Sequence, residues 1–221
     1  MHAAHRCGGL SDTLRGLKKI NFEASLREVL EHEGGFVDHE LDRGGKTRYG
    51  ITESVARDHG FTGKIRDLPM ETAEKIYRKS YWDAIRLDEL KNGRLRYIVF
   101  DTAVHMGPSA AVRKLQTTYN LLSSREITVD GIIGPETLGA VNSYQHGLDT
   151  FKFVYCVMRG EKYFDIVRTD GGQSIFIRGW MRRLMEVSCD LDREFTVKEC
   201  TVDGAVELLA DKIKDMLGGE S

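Results

Sequence analysis

Apolar positions recur along most of this chain at the three- and four-residue spacing of an amphipathic helix. Phe22, Leu26, Val29 and Leu30 form one such stripe over 22–32, with Asn21 positioned to cap its start and Gly34-Gly35 to end it. The same spacing predicts helices over 52–59 and 70–82, the second carrying Ala73, Ile76 and Tyr77 on one face. Residues 95–105 are mostly apolar and predict a buried helix. Met106-Gly107-Pro108 marks a composition boundary, beyond which helices are predicted over 111–122, 136–144, 151–164 and 176–195, with a short acidic-faced one over 206–217. Pro135 suits a first helical turn, and the preceding Asp130-Gly131-Ile132-Ile133-Gly134 spells a tight turn.

Residues 36–52 break the helical pattern. Glycines and acids punctuate them, and the short pieces Phe36-Val37 and Tyr49-Gly50-Ile51 are able to pair as a hairpin. No repeat period and no low-complexity tract is present, so the fold class predicted is mainly α with one small β excursion.

With 221 residues, 41% hydrophobic and 30% charged, the chain can bury one substantial core or two small ones, which excludes wholesale disorder. Its longest apolar runs, such as 97–100, fall far short of the ~20 residues that cross a bilayer, so no membrane span is expected. Residues 1–20 lack the apolar core of ~7 to 15 residues that a secretory signal needs. The net charge of −2 makes no global case for nucleic acid. Its distribution is uneven: residues 184–221 hold 10 acids against 4 bases, a local −6, and the preceding residues hold 28 bases against 24 acids, or +4. A mildly cationic body suits a polyanionic partner. Cys7, Cys156, Cys189 and Cys200 form no CxxC pair and read as free thiols. His32-Glu33 is followed by glycines, so no HExxH array exists, and neither metal nor cofactor is expected.

The candidate chemistry lies where the first helix stops. Glu33 precedes the glycine pair, Asp42 follows nine positions later in a glycine-rich loop, and Thr47 comes five further on. A helix that ends and a hairpin that doubles back can bring these three to the lips of one groove. Glycosidic hydrolysis needs a protonated carboxyl as general acid and an ionised one that attacks or activates water. The partial negative charge of a helix C-terminus disfavours an ionised Glu33, which suits the acid's role. Taken alone, a Glu and an Asp at this spacing also describe two solvated loop acids.

Glu33-Gly34-Gly35-Phe36 followed by 42–52, Asp-Arg-Gly-Gly-Lys-Thr-Arg-Tyr-Gly-Ile-Thr, resembles the signature of glycoside hydrolase family 108. This is a group of muramidases that comprises phage endolysins and proteins once labelled secretion activators. Asp67-Leu68-Pro69 and 76–83 resemble further blocks of that family, so the likeness of the catalytic lobe covers roughly 22–90. It implies a lysozyme-like, two-lobed helical fold with a small β-hairpin at the active-site lip, Glu33 as the essential acid, and no cofactor. The Glu, Asp, Thr order is also similar to the triad of phage T4-type lysozymes, which implies roles for Asp42 and Thr47. Arg43 stands where the family commonly has proline, and His105 where it usually has asparagine.

Downstream, 100–108, Leu115-Gln116, 130–137 and 178–183 resemble the predicted peptidoglycan-binding region that follows the catalytic lobe in these proteins. The domains expected are a tail over 1–20, the catalytic lobe over 21–95, a helical peptidoglycan-binding region packed on it over 96–195, and an acidic helix or tail over 196–221. Gly44, Gly45, Tyr49, Trp82 and His105 are the candidate substrate-binding residues. Tyr49 and Trp82 are offered as sugar platforms, Tyr77 as core, and Arg178, Arg182 and Arg183 as a solvated helix face.

The resemblance implies a monomeric peptidoglycan hydrolase that cleaves the β-1,4 bond between N-acetylmuramic acid and N-acetylglucosamine. It is expected in the cytoplasm on synthesis and in the cell wall after release through a holin or export machinery. Two other functions stay open on the residues: a non-catalytic, secretion-assisting wall-binding module, and a peptidase or amidase of the same polymer.

Overall fold

A computed structural model describes residues 20–33, 36–37, 47–144 and 147–189. Among them the chain is mainly helical, with a three-stranded antiparallel sheet near its start. Helix α1 (Phe22–Glu33) begins where the Asn21 side chain accepts a hydrogen bond from the Ala24 N–H at 3.0 Å, and it buries Phe22, Leu26 and Val29. Strand β1 (Phe36–Val37) pairs with β2 (Thr47–Arg48), setting Phe36 against Arg48 and Val37 against Thr47; β2 in turn pairs with β3 (Ile51–Thr52).

The hairpin expected between 36–37 and 49–51 is therefore one strand richer, and Tyr49-Gly50 is a turn within it. Both residues have positive φ, 54° and 72°, the geometry of a two-residue hairpin loop whose twist matches its strands. A tyrosine rarely adopts that conformation. Here the Tyr77 hydroxyl donates to the Tyr49 carbonyl at 2.6 Å, and the Arg48 guanidinium lies 4.4 Å from the Tyr49 ring centre while donating to its hydroxyl.

Thr52 caps α2 (Glu53–Asp58) by accepting from the Val55 N–H. Helix α3 (Met70–Tyr77) runs into a π-helical turn over Arg78–Trp82 rather than continuing as α-helix to Trp82. That turn drives the Trp82 ring edgewise against Phe22 and Phe100, at 5.4 and 5.2 Å between ring centres. Helix α4 (Gly93–Met106), capped by Asn92, is buried on nearly every face, as its sequence predicts. It is the axis of the molecule: α1 and the π turn pack on it from one side, α5 (Pro108–Leu122) and α7 (Leu148–Thr169) from the other. The Arg96 side chain donates to the carbonyls of Leu90 and Ile20, which ties the start of α1 to this axis.

Helix α6 (Pro135–Ser143) follows the predicted turn, and α8 (Ile177–Cys189) packs on α7. The Asp130 carboxylate accepts from Gln116 and from the Ile132 N–H, both at 2.8 Å, while the Gln116 carbonyl oxygen accepts from the Gly131 N–H. Gly131 has φ +77°, and a Cβ there would fall 2.4 Å from the Ser109 hydroxyl, so this motif is built as a turn scaffold. The tails over 1–19 and 190–221, including the predicted helix over 206–217, lie outside the described residues, as do Cys7 and Cys200. Cys156 is buried and forms no disulfide, as expected.

Candidate active site

Glu33 is the last residue of α1, three positions before β1 starts. Thr47 opens β2 and stands opposite Val37. Four chain steps separate Glu33 from Val37, which bounds their Cα separation at ~14 Å, and Val37 and Thr47 are cross-strand neighbours at ~5 Å. The Cα atoms of Glu33 and Thr47 therefore lie no more than ~19 Å apart. Asp42, Gly44 and Gly45 belong to the connection between β1 and β2; they and the Glu33 side chain lie outside the described residues.

Of the two proposed platforms, Tyr49 is half-buried beside Thr47, with Arg48 over its ring. Trp82 corrects the expectation. It is wholly buried between Phe22 and Phe100, because the π turn points it inward, so it presents no face to a sugar. Tyr77 is core, as expected, and its hydroxyl fixes the Tyr49 turn from beneath.

His105 lies in the last turn of α4, edge-on to Tyr163 of α7 and Trp180 of α8, and its Nδ1 is 3.3 Å from the Tyr163 hydroxyl. Its ring thus packs on the helical region beyond α4. Behind it sits a buried ionic cluster that the sequence reading missed. Asp101 of α4 accepts from Arg159 of α7 and, at 2.7 Å, from Arg183 of α8; the Arg159 Nε donates to the Tyr163 hydroxyl at 2.7 Å. Arg183 is buried, so the solvated face expected for the three arginines holds only for Arg178 and Arg182. The signal was present: an acid inside the apolar run 97–104 needs a buried cation as partner.

Burial and the nearby Arg159 and Arg183 charges push His105 down to about 3, with Asp101 opposing. The unfolded chain takes up this proton near 6.5 and the folded one only near 3, so stability falls as pH drops through that interval. His105→Asn removes the effect: its melting temperature is expected to vary less between pH 6.5 and 4 than that of the parent, as thermal scans across that range would show. Parallel curves would contradict this role for His105.

Two family models match successive parts of the chain. The glycosyl hydrolase 108 model matches residues 26–107, and a predicted peptidoglycan domain matches 110–185. The structure of Brucella abortus SagA superposes with a TM-score of 0.65 at 30% identity, covering 77% of this chain and 92% of that one. The chain belongs to the glycosyl hydrolase 108 family. The family match runs from Leu26 within α1 through the sheet to the end of α4, and so contains Glu33, Asp42 and Thr47; the peptidoglycan-domain match takes in α5 to α8 from 110 to 185. No curated protein matches the chain.

Proposed function

We propose that this chain is an N-acetylmuramidase that hydrolyses the β-1,4 bond between N-acetylmuramic acid and N-acetylglucosamine. What supports the reading is the junction at which α1 ends on Glu33 and the chain turns directly into an antiparallel ladder carrying Thr47, within the segment matched by the glycosyl hydrolase 108 model. Glu33 protonates the glycosidic oxygen as the bond to C1 breaks. Asp42 takes a proton from a water held by Thr47, and that water's oxygen bonds to C1 from the opposite face. Tyr49 lines the groove beside Thr47.

A carboxylate on a glycine-rich loop beside a hydroxyl suits activation of water better than direct attack on carbon. The reaction is therefore expected to invert, with the Glu33 and Asp42 carboxyls ~6.5 to 9.5 Å apart. Proton NMR of the first-formed product should show the α-anomer; the β-anomer, or a covalent glycosyl-enzyme on Asp42, would refute inversion. If Gly44 and Gly45 adopt a positive φ, replacing either with valine should cost at least ~1 kcal/mol and lower activity, because a β-branched residue resists that conformation. If both variants match the parent in melting temperature and rate, the loop is not a constrained lip. The reading as a whole is tested by turbidity of permeabilised Gram-negative cells, which a muramidase clears and a pure wall binder does not.

A further inference from the structure

The end of α4 and three helices beyond it line a concavity, apart from the junction at Glu33. It has a volume of about 440 Å³, within the range of small-ligand pockets, and is formed by α5 and α7 with the end of α4 and with Trp180 of α8. Its lining has two parts. Met106, Met158, Ile166, His105, Tyr163 and Trp180 make a mainly apolar base, and Arg113, Lys114 and Lys162 supply three cations.

The Lys114 Nζ donates to the Met158 carbonyl at 2.8 Å, which fixes it in the wall with further N–H donors to spare. Lys162 is exposed one helical turn beyond Met158. Glu161 and Asp165 act on Lys114 from α7 but do not line the cavity. The lining contains no Asp, Glu, Asn or Gln. A glycan site needs acceptors for the many hydroxyl donors of a sugar, and this wall offers two hydroxyls, Thr117 and Tyr163, the second already engaged by Arg159 and His105. Its chemistry fits a ligand with carboxylates and an alkyl chain. Peptidoglycan carries such a group in its stem peptide.

We propose that this cavity binds the acidic stem peptide of peptidoglycan, with a carboxylate at Lys114 and Lys162 and the alkyl portion against Met106 and Met158. The proposal rests on peptidoglycan being the polymer this protein acts on. It gives the two halves of the chain separate tasks, glycan at the sheet and peptide between the helices.

The test is calorimetric titration of the full chain with the free tripeptide L-alanyl-γ-D-glutamyl-meso-diaminopimelate, run beside a murein hydrolysis assay. Saturable binding is expected, weakened at least about tenfold by Lys162→Glu, an exposed change that spares the fold, and by Lys114→Gln, which keeps a donor for the Met158 carbonyl. Lys75→Ala, at an exposed site on α3, should leave binding unchanged. Absence of peptide binding, equal binding by both cavity variants, or competition by a peptide-free disaccharide as strong as that by the tripeptide would overturn the proposal. Occupation of the cavity by the chain's own acidic C-terminal segment would appear as no peptide binding, and counts against it. Hydrolysis without peptide binding defeats this inference alone, whereas peptide binding without hydrolysis defeats only the muramidase reading.

Discussion

Glu33→Gln should lower murein hydrolysis by at least ~10² and as much as ~10⁴-fold while leaving the melting temperature within a degree or two of the parent's. The amide keeps the shape of the side chain and its place at the end of α1, and removes only the proton that the leaving oxygen requires. The ladder of Val37 against Thr47 does not depend on that proton, so the lip keeps its form. Reducing-end release from purified sacculi, measured beside thermal unfolding, separates the two effects. Near-normal release by a folded variant would remove Glu33 from the chemistry.

Asp101→Asn should be the most destabilising single substitution among those considered, at about 3 to 5 kcal/mol, because it leaves Arg159 and Arg183 facing each other with no counter-charge in the interior. In a chain of this size that lowers the melting temperature by roughly 6 to 20 °C. The same cluster sets an acid limit. Burial pushes the Asp101 carboxyl up, yet Arg159 and Arg183 together hold it at about 2, below its ordinary value of 3.8. A depressed carboxylate stabilises the fold above its ordinary value, and that contribution is lost as pH falls from about 4 through 2. Acid unfolding of the parent should therefore steepen in this window, and Asp101→Asn should flatten there. A variant that melts within 2 °C of the parent at pH 7 would show that the ion cluster is dispensable.

The helical scaffold was legible because a stripe such as Phe22, Leu26, Val29 announces both an element and the face it buries. The end of α1 was legible for the same local reason, since Gly34-Gly35 cannot sustain a helix. What escaped the sequence depends on partners far along the chain. Helical spacing says that Trp82 faces something, but only the π turn and the rings of Phe22 and Phe100 decide that it faces the core. Tyr49 lacks the Asn-Gly signal of its turn type, and its conformation is held by Tyr77, 28 residues away. Arg183 sits among arginines on an amphipathic helix, and becomes a buried ion only because α8 packs where Asp101 of α4 needs it. The membership of the glycosyl hydrolase 108 family was legible from the motifs around Glu33, Asp42 and Thr47, while the cavity between α4, α5, α7 and α8 was not. Its lining is gathered from four helices whose order in sequence carries no hint of their contact.

The central claim is that this chain cuts glycan between N-acetylmuramic acid and N-acetylglucosamine. Mass spectrometry of the fragments released from purified sacculi tests it most directly, with borohydride reduction to mark new ends. The account predicts disaccharide-peptides with intact stems whose reducible end is N-acetylmuramic acid. Free stem peptides, severed cross-links, reducible N-acetylglucosamine ends, or no soluble fragments from a folded protein would contradict it.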